Sequence, residues 1–132
     1  MMLPVTSLFA GLLTLYFVRL ASQVIRLRRA NKVALGAGGH SDLEGAIRAH
    51  GNFAEYVPLG LVLLGLVESH GIYPAVVAVL GTTLALGRWW HARALSQSNL
   101  KLRVRGMVLT FGTLTTLALL NILLAVRTWA GM

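Results

Sequence analysis

Long apolar runs dominate the chain, and short segments rich in charged residues separate them. The runs lie at about residues 3–28, 44–68, 72–93 and 104–128. A helix needs about 20 apolar residues to cross a hydrocarbon core of about 30 Å, so each run predicts a membrane span. Short connections make consecutive spans antiparallel neighbours. The pattern predicts an all-α membrane protein, a single four-transmembrane-helix bundle in up-down-up-down order over residues 1–132.

The second run is the least regular. Its uninterrupted apolar part, Tyr56 to Val67, would form only about 18 Å of helix, which is too short to cross a bilayer. The helix must therefore extend back toward Ile47, which carries Arg48 and Glu55 to or below the membrane surface. The segment 41–44 has the S-x-x-E form of a capping box, so we expect the helix to start at Ser41 or the next residue.

Composition supports a membrane protein. Of 132 residues, 56% are hydrophobic and 12% are charged, whereas charged residues are about 25% of an average soluble domain. Cysteine is absent, which excludes disulfides, thiolate metal sites and cysteine nucleophiles. A net charge of +8 would suggest nucleic acid in a soluble protein. Here membrane topology explains it better, so we expect membrane lipids as partners and no nucleic acid.

The basic residues predict the orientation. They collect in the first connection, from Arg26 to Lys32, and in the third, from Arg93 to Arg105, whereas the opposite side has only Arg127. Because cytoplasmic loops carry an excess of Lys and Arg, both termini should be non-cytoplasmic. No positive segment precedes the first run, so we expect a retained span rather than a cleaved signal peptide.

Polar residues inside the spans fall at the predicted cytoplasmic ends. On span two, the spacing i, i+4, i+7 places three of them on one helix face: Arg48, Asn52 and Glu55. The others are Arg19, Gln23 and Arg26 on span one, Arg88 and His91 on span three, and Arg105 at the start of span four. Matching depths on spans one and two predict a buried ion pair between Arg19 and Glu55.

The membrane-level arginines outnumber the one membrane-level carboxylate, Glu55. Guanidinium groups in a low-dielectric site call for an anion, and their fork geometry matches carboxylates. We expect an anionic ligand with more than one carboxylate, and an ammonium for Glu55. It would arrive from the cytoplasm, and an apolar co-substrate would come from the bilayer.

Structural interpretations compete at several of these positions. Arg28 and Arg29 fit topology anchors, Arg88 could snorkel to the headgroups, His50 could be a surface residue, and Asn52 could hydrogen-bond across helices. Four glycines fit helix-packing positions: Gly60, Gly65, Gly81 and Gly87. The histidines are too scattered for a metal site, and no nucleophile motif or phosphate loop is present. A small multidrug-type transporter is a weaker hypothesis, because an arginine excess suits an anion.

Four motifs in order resemble the MAPEG family (membrane-associated proteins in eicosanoid and glutathione metabolism). Residues 48–59 resemble its R-A-x-x-N-x-x-E-x-x-P signature, and residues 23–28 resemble its span-one ending. Residues 87–91 are similar to its G-R-x-x-H motif, and Arg105 falls where members carry an arginine opening span four. The resemblance covers essentially the whole chain and is strongest to the small bacterial inner-membrane branch.

The resemblance implies a homotrimer with sites between subunits near the cytoplasmic face, and glutathione as co-substrate without a metal. Asn52 and Glu55 would hold its γ-glutamyl end, and Arg105 would favour the thiolate. The remaining expected binding residues are Arg26, Arg48, Tyr56, Arg88 and His91. The implied function is a glutathione-dependent transferase or peroxidase acting on a lipophilic small-molecule substrate.

The sequence also departs from the family pattern. Leu95 stands where eukaryotic transferases of the family carry a tyrosine. The spacing after His91 leaves Arg103 as an alternative to Arg105. The family also includes binding proteins without catalytic activity, so a non-catalytic membrane binding or accessory protein is the alternative function.

Overall fold

Four α-helices make up most of residues 2–131, which are the residues described by the computed structural model. They are α1 (Pro4–Asn31), α2 (Ser41–Ser69), α3 (Pro74–Ser96) and α4 (Leu100–Trp129). Proline starts α1 and α3, where the missing amide would have had no partner within the helix. Asn99 caps α4, because its side chain accepts a hydrogen bond from the Leu102 amide at 3.0 Å.

The helix ends lie within a few residues of the predicted spans. The second helix extends back to Ser41, as the short apolar part of this run requires. The predicted capping box does not form, because His40 is the N-cap and makes no side-chain capping bond. Glu44 instead accepts from Arg48, one turn further along, with 3.0 Å between Nη2 and Oε1. The expected start of α2 is therefore correct, but its expected cause is wrong.

Among residues 2–131, three helices are long and apolar enough to cross a membrane: α1, α2 and α4. The third helix is not among them, because its second half carries Arg88, Trp89, Trp90 and His91. Its 23 residues still span about 35 Å, which matches a hydrocarbon core. Arg88 and His91 are buried against other helices, so these polar side chains do not face lipid.

The helices pack as an antiparallel bundle with α2 and α3 in the middle. α1 contacts α2 and α3, and α4 contacts the same two helices, whereas α1 and α4 do not touch within residues 2–131. Thr6 near the start of α1 contacts Glu68 at the end of α2, and Phe17 stacks on His50 nearer the start of α2, so these helices run in opposite directions. The bundle core is divided into two apolar clusters, one around Phe53 and Leu84 and the other around Leu64, Val67, Val77 and Leu117.

Small and polar residues hold the helices at close range. Gly60, Gly81 and Gly87 are buried, and a Cβ at any of them would contact a neighbouring helix, as the sequence predicts. Thr113 donates to Thr83 at 2.9 Å. At the predicted non-cytoplasmic end, Glu68 accepts from the Val5 and Thr6 amides at 2.9 and 2.7 Å. This carboxylate caps the start of α1 from the end of α2.

Candidate functional site

A buried arginine lies where α2, α3 and α4 meet. Arg88 is 1% exposed, and its Nε donates to Thr110 Oγ1 at 2.9 Å. Nη1 donates to the Asn52 carbonyl at 3.4 Å, and Nη2 lies 3.3 Å from Met107 Sδ. The guanidinium carbon sits 5.0 Å from the centre of the Tyr56 ring. No ion pair within residues 2–131 includes Arg88, so neutral groups alone surround this charge.

Arg88 therefore does not snorkel to the headgroups. It holds Asn52 and Tyr56 of α2 against α3 and α4, and Tyr56 also meets Phe111 edge-on at 5.6 Å. The Asn52 side chain donates to the Arg48 carbonyl on its own helix at 2.9 Å. The competing interpretation, a hydrogen bond from this side chain across helices, has no support within residues 2–131. The Asn52 carbonyl is the group that reaches α3.

The polar face of α2 continues outward from this cluster. Arg48 forms its ion pair with Glu44, and both side chains are more than half exposed. Glu55 is also exposed and forms no ion pair within residues 2–131. Arg48, Asn52 and Glu55 thus form a polar and partly exposed face of α2.

The predicted ion pair between Arg19 and Glu55 is wrong. Phe53 and His50 are the α2 residues that contact α1 at this level. Two residues at about 100° each place Glu55 roughly 200° around the helix from Phe53, away from α1. Arg19 instead lines a cavity between α1, α2 and α3. His50 is half-buried under Phe17, with 4.6 Å between ring centres, and is not a simple surface residue.

His91 is buried where the backbones of α3 and α4 approach closely. It is 2% exposed, and a Cβ on Gly106 would lie 2.7 Å from its backbone nitrogen. This approach brings the start of α4 beside His91. Arg103, three residues before Gly106, lies within electrostatic range of His91. Arg105 is exposed and lies about 100° around the helix from Gly106.

Arg26 lies apart from the other candidates. It lines an open cavity of about 450 Å³ together with Arg19, Gln23, Ser22 and Ser96. Because α1 does not touch α4, Arg26 and Arg105 lie on different sides of the subunit. One subunit therefore brings together Asn52, Tyr56 and Arg88, with Arg48 and His91 one turn away, but it does not gather the whole predicted set.

Sequence reasoning missed the partners of Arg88 on α4. Thr110 and Met107 belong to an apolar run, as does Phe111, which contacts Tyr56. Only Thr110 gives a signal, as a polar residue one turn after Gly106. The polar face of α2 and the residues around Arg88 together form one wall of the candidate site. This wall has guanidinium and amide donors, apolar side chains and the carboxylate of Glu55, which has no ionic partner within residues 2–131. Within residues 2–131 no group of three or more His, Asp or Glu side chains is placed to hold a metal ion.

Comparison with known proteins gives two findings. Residues 6–123 match the model of the MAPEG family. The inner membrane protein YecN of Escherichia coli strain K12 is 36% identical over 118 residues, which cover 89% of this chain and 90% of that protein. YecN of Escherichia coli O6:H1 strain CFT073 is similar to the same extent.

Proposed function

Because this chain belongs to the MAPEG family, a family of membrane helical bundles associated with glutathione use, we propose that it is an integral-membrane glutathione-dependent transferase or peroxidase. The observation that most supports this function is Glu55. It is exposed and without an ionic partner within residues 2–131. It lies about one turn after Asn52 and directly before Tyr56, and Arg88 contacts both of these residues. A carboxylate at membrane level requires a cation. Glutathione supplies an ammonium for Glu55 and two carboxylates for arginine.

A second copy of the chain would complete the site. Arg26 lines a cavity beside Ser96 of α3, whereas Phe53 and His50, not Arg48 or Glu55, are the α2 residues that contact α1. In a homotrimer, Arg26 of a neighbouring subunit would approach Arg48 and Glu55 and contribute to binding glutathione. The same contact would cover Glu55 and remove an exposed carboxylate from lipid.

Catalysis would depend on the arginines at the start of α4. A nearby cation lowers a thiol pKa, and the thiolate is the nucleophile. Arg105 is our first candidate for this role, and Arg103 is the alternative because it lies within range of buried His91. In the transferase reaction, the thiolate sulfur bonds to an electrophilic carbon while the leaving group departs with the bonding electrons. Exposed Phe111, beside Tyr56, would form an apolar wall toward the bilayer for this substrate.

Calorimetry on the protein in lipid nanodiscs tests glutathione binding. Glu55→Gln and Asn52→Ala should weaken binding by roughly tenfold or more, because each removes a hydrogen bond to a charged group. Asp42→Asn is the matched control, since Asp42 is an exposed carboxylate on the same helix that lies outside this wall. Absence of binding to the unaltered protein, or an equal loss in Asp42→Asn, would refute the site.

Measurements of turnover test the catalytic role separately from glutathione binding. Arg105→Ala, or Arg103→Ala if that residue faces the thiol, should lower kcat while glutathione affinity changes little. A generic lipophilic electrophile serves as the second substrate. Unchanged kcat in both variants would exclude activation of the thiol by α4.

The non-catalytic alternative rests on Leu95, which offers no hydroxyl to a ligand where related transferases have a tyrosine. Ultraviolet absorbance of the thiolate, followed against pH on the bound complex, distinguishes the two functions. A bound thiol that keeps its solution pKa would favour a binding or accessory protein. A lowered thiol pKa would favour the enzyme.

A further inference from the structure

A separate polar cavity lies between α1, α2 and α3. Its volume is about 380 Å³, within the range of roughly 300–1,000 Å³ that is typical of ligand pockets. Arg19 of α1 and Arg93 of α3 line it together with Asp42, at the start of α2. Its lining shares no residue with the wall formed by Asn52, Glu55 and Arg88. The lining includes Leu95, where related transferases carry a tyrosine, but none of the residues proposed above to bind glutathione.

The charges in this cavity do not balance. Arg19 and Arg93 are both exposed, and neither forms an ion pair within residues 2–131. The guanidinium of Arg93 lies 5.6 Å from the Trp89 ring centre, which restricts its orientation. The Tyr16 hydroxyl lies close enough to Arg19 and Arg93 for the charges of both to act on it. Asp42 is the one carboxylate among the residues that line the cavity, so positive charge is in excess.

The start of α2 adds further donors. Ser41 and Asp42 belong to its first turn and line the cavity, and the N-cap residue His40 makes no side-chain capping bond. The first amides of a helix lack partners within the helix, and the helix dipole favours an anion there. Two arginine forks that line the same cavity as a helix start suit a tetrahedral oxyanion with several acceptor oxygens.

We propose that this cavity binds a phosphate group through Arg19, Arg93 and the first turn of α2. The phosphate belongs either to the headgroup of an anionic phospholipid or to a soluble phosphate compound. Leu20, Leu27 and Leu95 also line the cavity, so an attached acyl chain would find apolar contacts. This proposal does not depend on the glutathione function.

The test uses the full chain in nanodiscs of zwitterionic phosphatidylcholine. One arm titrates inorganic phosphate by calorimetry, and the other adds phosphatidylglycerol and counts retained lipids by native mass spectrometry. We expect one phosphate-bearing ligand per subunit, lost in the double variant Arg19→Gln/Arg93→Gln. Arg29→Gln is the matched control, because Arg29 is an exposed arginine of α1 that does not line the cavity. It should bind normally.

The two arms identify the source of the phosphate. Binding of inorganic phosphate that requires both arginines would support a soluble ligand, and retention of phosphatidylglycerol alone would support a lipid. Binding in neither arm, or equal loss in Arg29→Gln, would overturn the proposal. Displacement by glutathione would overturn it as well, because the cavity would then belong to the glutathione site.

A second variant distinguishes a specific loss of binding from misfolding of the protein. Asp42→Asn removes the carboxylate in the lining, so affinity for the phosphate-bearing ligand should rise a few-fold. A damaged protein would not gain affinity. Unchanged or weaker binding in Asp42→Asn would contradict the proposed position of the phosphate.

Discussion

Gly106 offers the sharpest test of the packing that positions the candidate site. A Cβ at this position would lie 2.7 Å from the His91 nitrogen and 2.8 Å from the Gly87 carbonyl oxygen. Both contacts are to backbone atoms of α3, which cannot rotate away as a side chain could. Atoms pack best at about 3.5 Å, so Gly106→Ala would force α3 and α4 apart by roughly 0.8 Å at this point.

The expected magnitude follows from a matched pair on the same helix. A Cβ on Gly112 meets nothing within 4 Å, so Gly112→Ala gains only helix propensity, about 1 kcal/mol. Gly106→Ala has the same gain but also overpacks a close contact, which costs about 1–3 kcal/mol. Gly106→Ala should therefore be less stable than Gly112→Ala by about 1–3 kcal/mol. Separation of the helices would also move Arg103 away from His91.

The difference in stability between the two variants can be measured by unfolding them in mild detergent with increasing dodecyl sulfate, followed by circular dichroism. Lower stability in Gly106→Ala than in Gly112→Ala, with weaker glutathione-dependent turnover, would support the close approach. Equal stability of the two variants would refute it, and with it the placement of α4 beside His91.

Two further perturbations test contacts that hold the bundle together. Glu68→Ala removes the acceptor for the first amides of α1 and should lower stability by about 1 kcal/mol, measured by thermal unfolding. Glu44→Ala, which removes an exposed surface pair, should cost no more than a few tenths of a kcal/mol, and equal effects would contradict the cap. Thr110→Val leaves the Nε of buried Arg88 without its acceptor and should cost about 1.5–3 kcal/mol. Thr116→Val, whose hydroxyl bonds only its own helix, should be nearly neutral, and similar losses in both would show that Arg88 does not depend on Thr110.

Much of the α2 face was predictable from spacing alone. Residues at i, i+4 and i+7 share a helix face in any α-helix, so Arg48, Asn52 and Glu55 could be grouped before any contact was known. The short apolar part of this run also required the helix to extend backward, and α2 does begin at Ser41. These inferences needed only helix geometry and the thickness of a bilayer.

Inferences that depended on rotation about a helix axis were wrong for Arg19 and open for Arg88. Arg19 and Glu55 match in depth, but Glu55 faces away from α1, because Phe53 and His50 occupy the contact with α1. Arg88 could have snorkelled, yet it points into the bundle, where Thr110 and the Asn52 carbonyl accept its hydrogen bonds. Depth along a helix follows from residue counting, whereas the rotation of one helix against another depends on how side chains interlock.

The sequence by itself determined four membrane-length helices, their antiparallel order and the residue types available for an anion site, because hydrophobic length and helical periodicity are local properties. Only the tertiary structure decided which polar residues meet. It placed α4 beside α3 through Gly87 and Gly106, gave Arg88 neutral partners and separated Arg19 and Arg26 from Glu55. Those outcomes depend on close packing between residues far apart in the chain, which no single helix specifies.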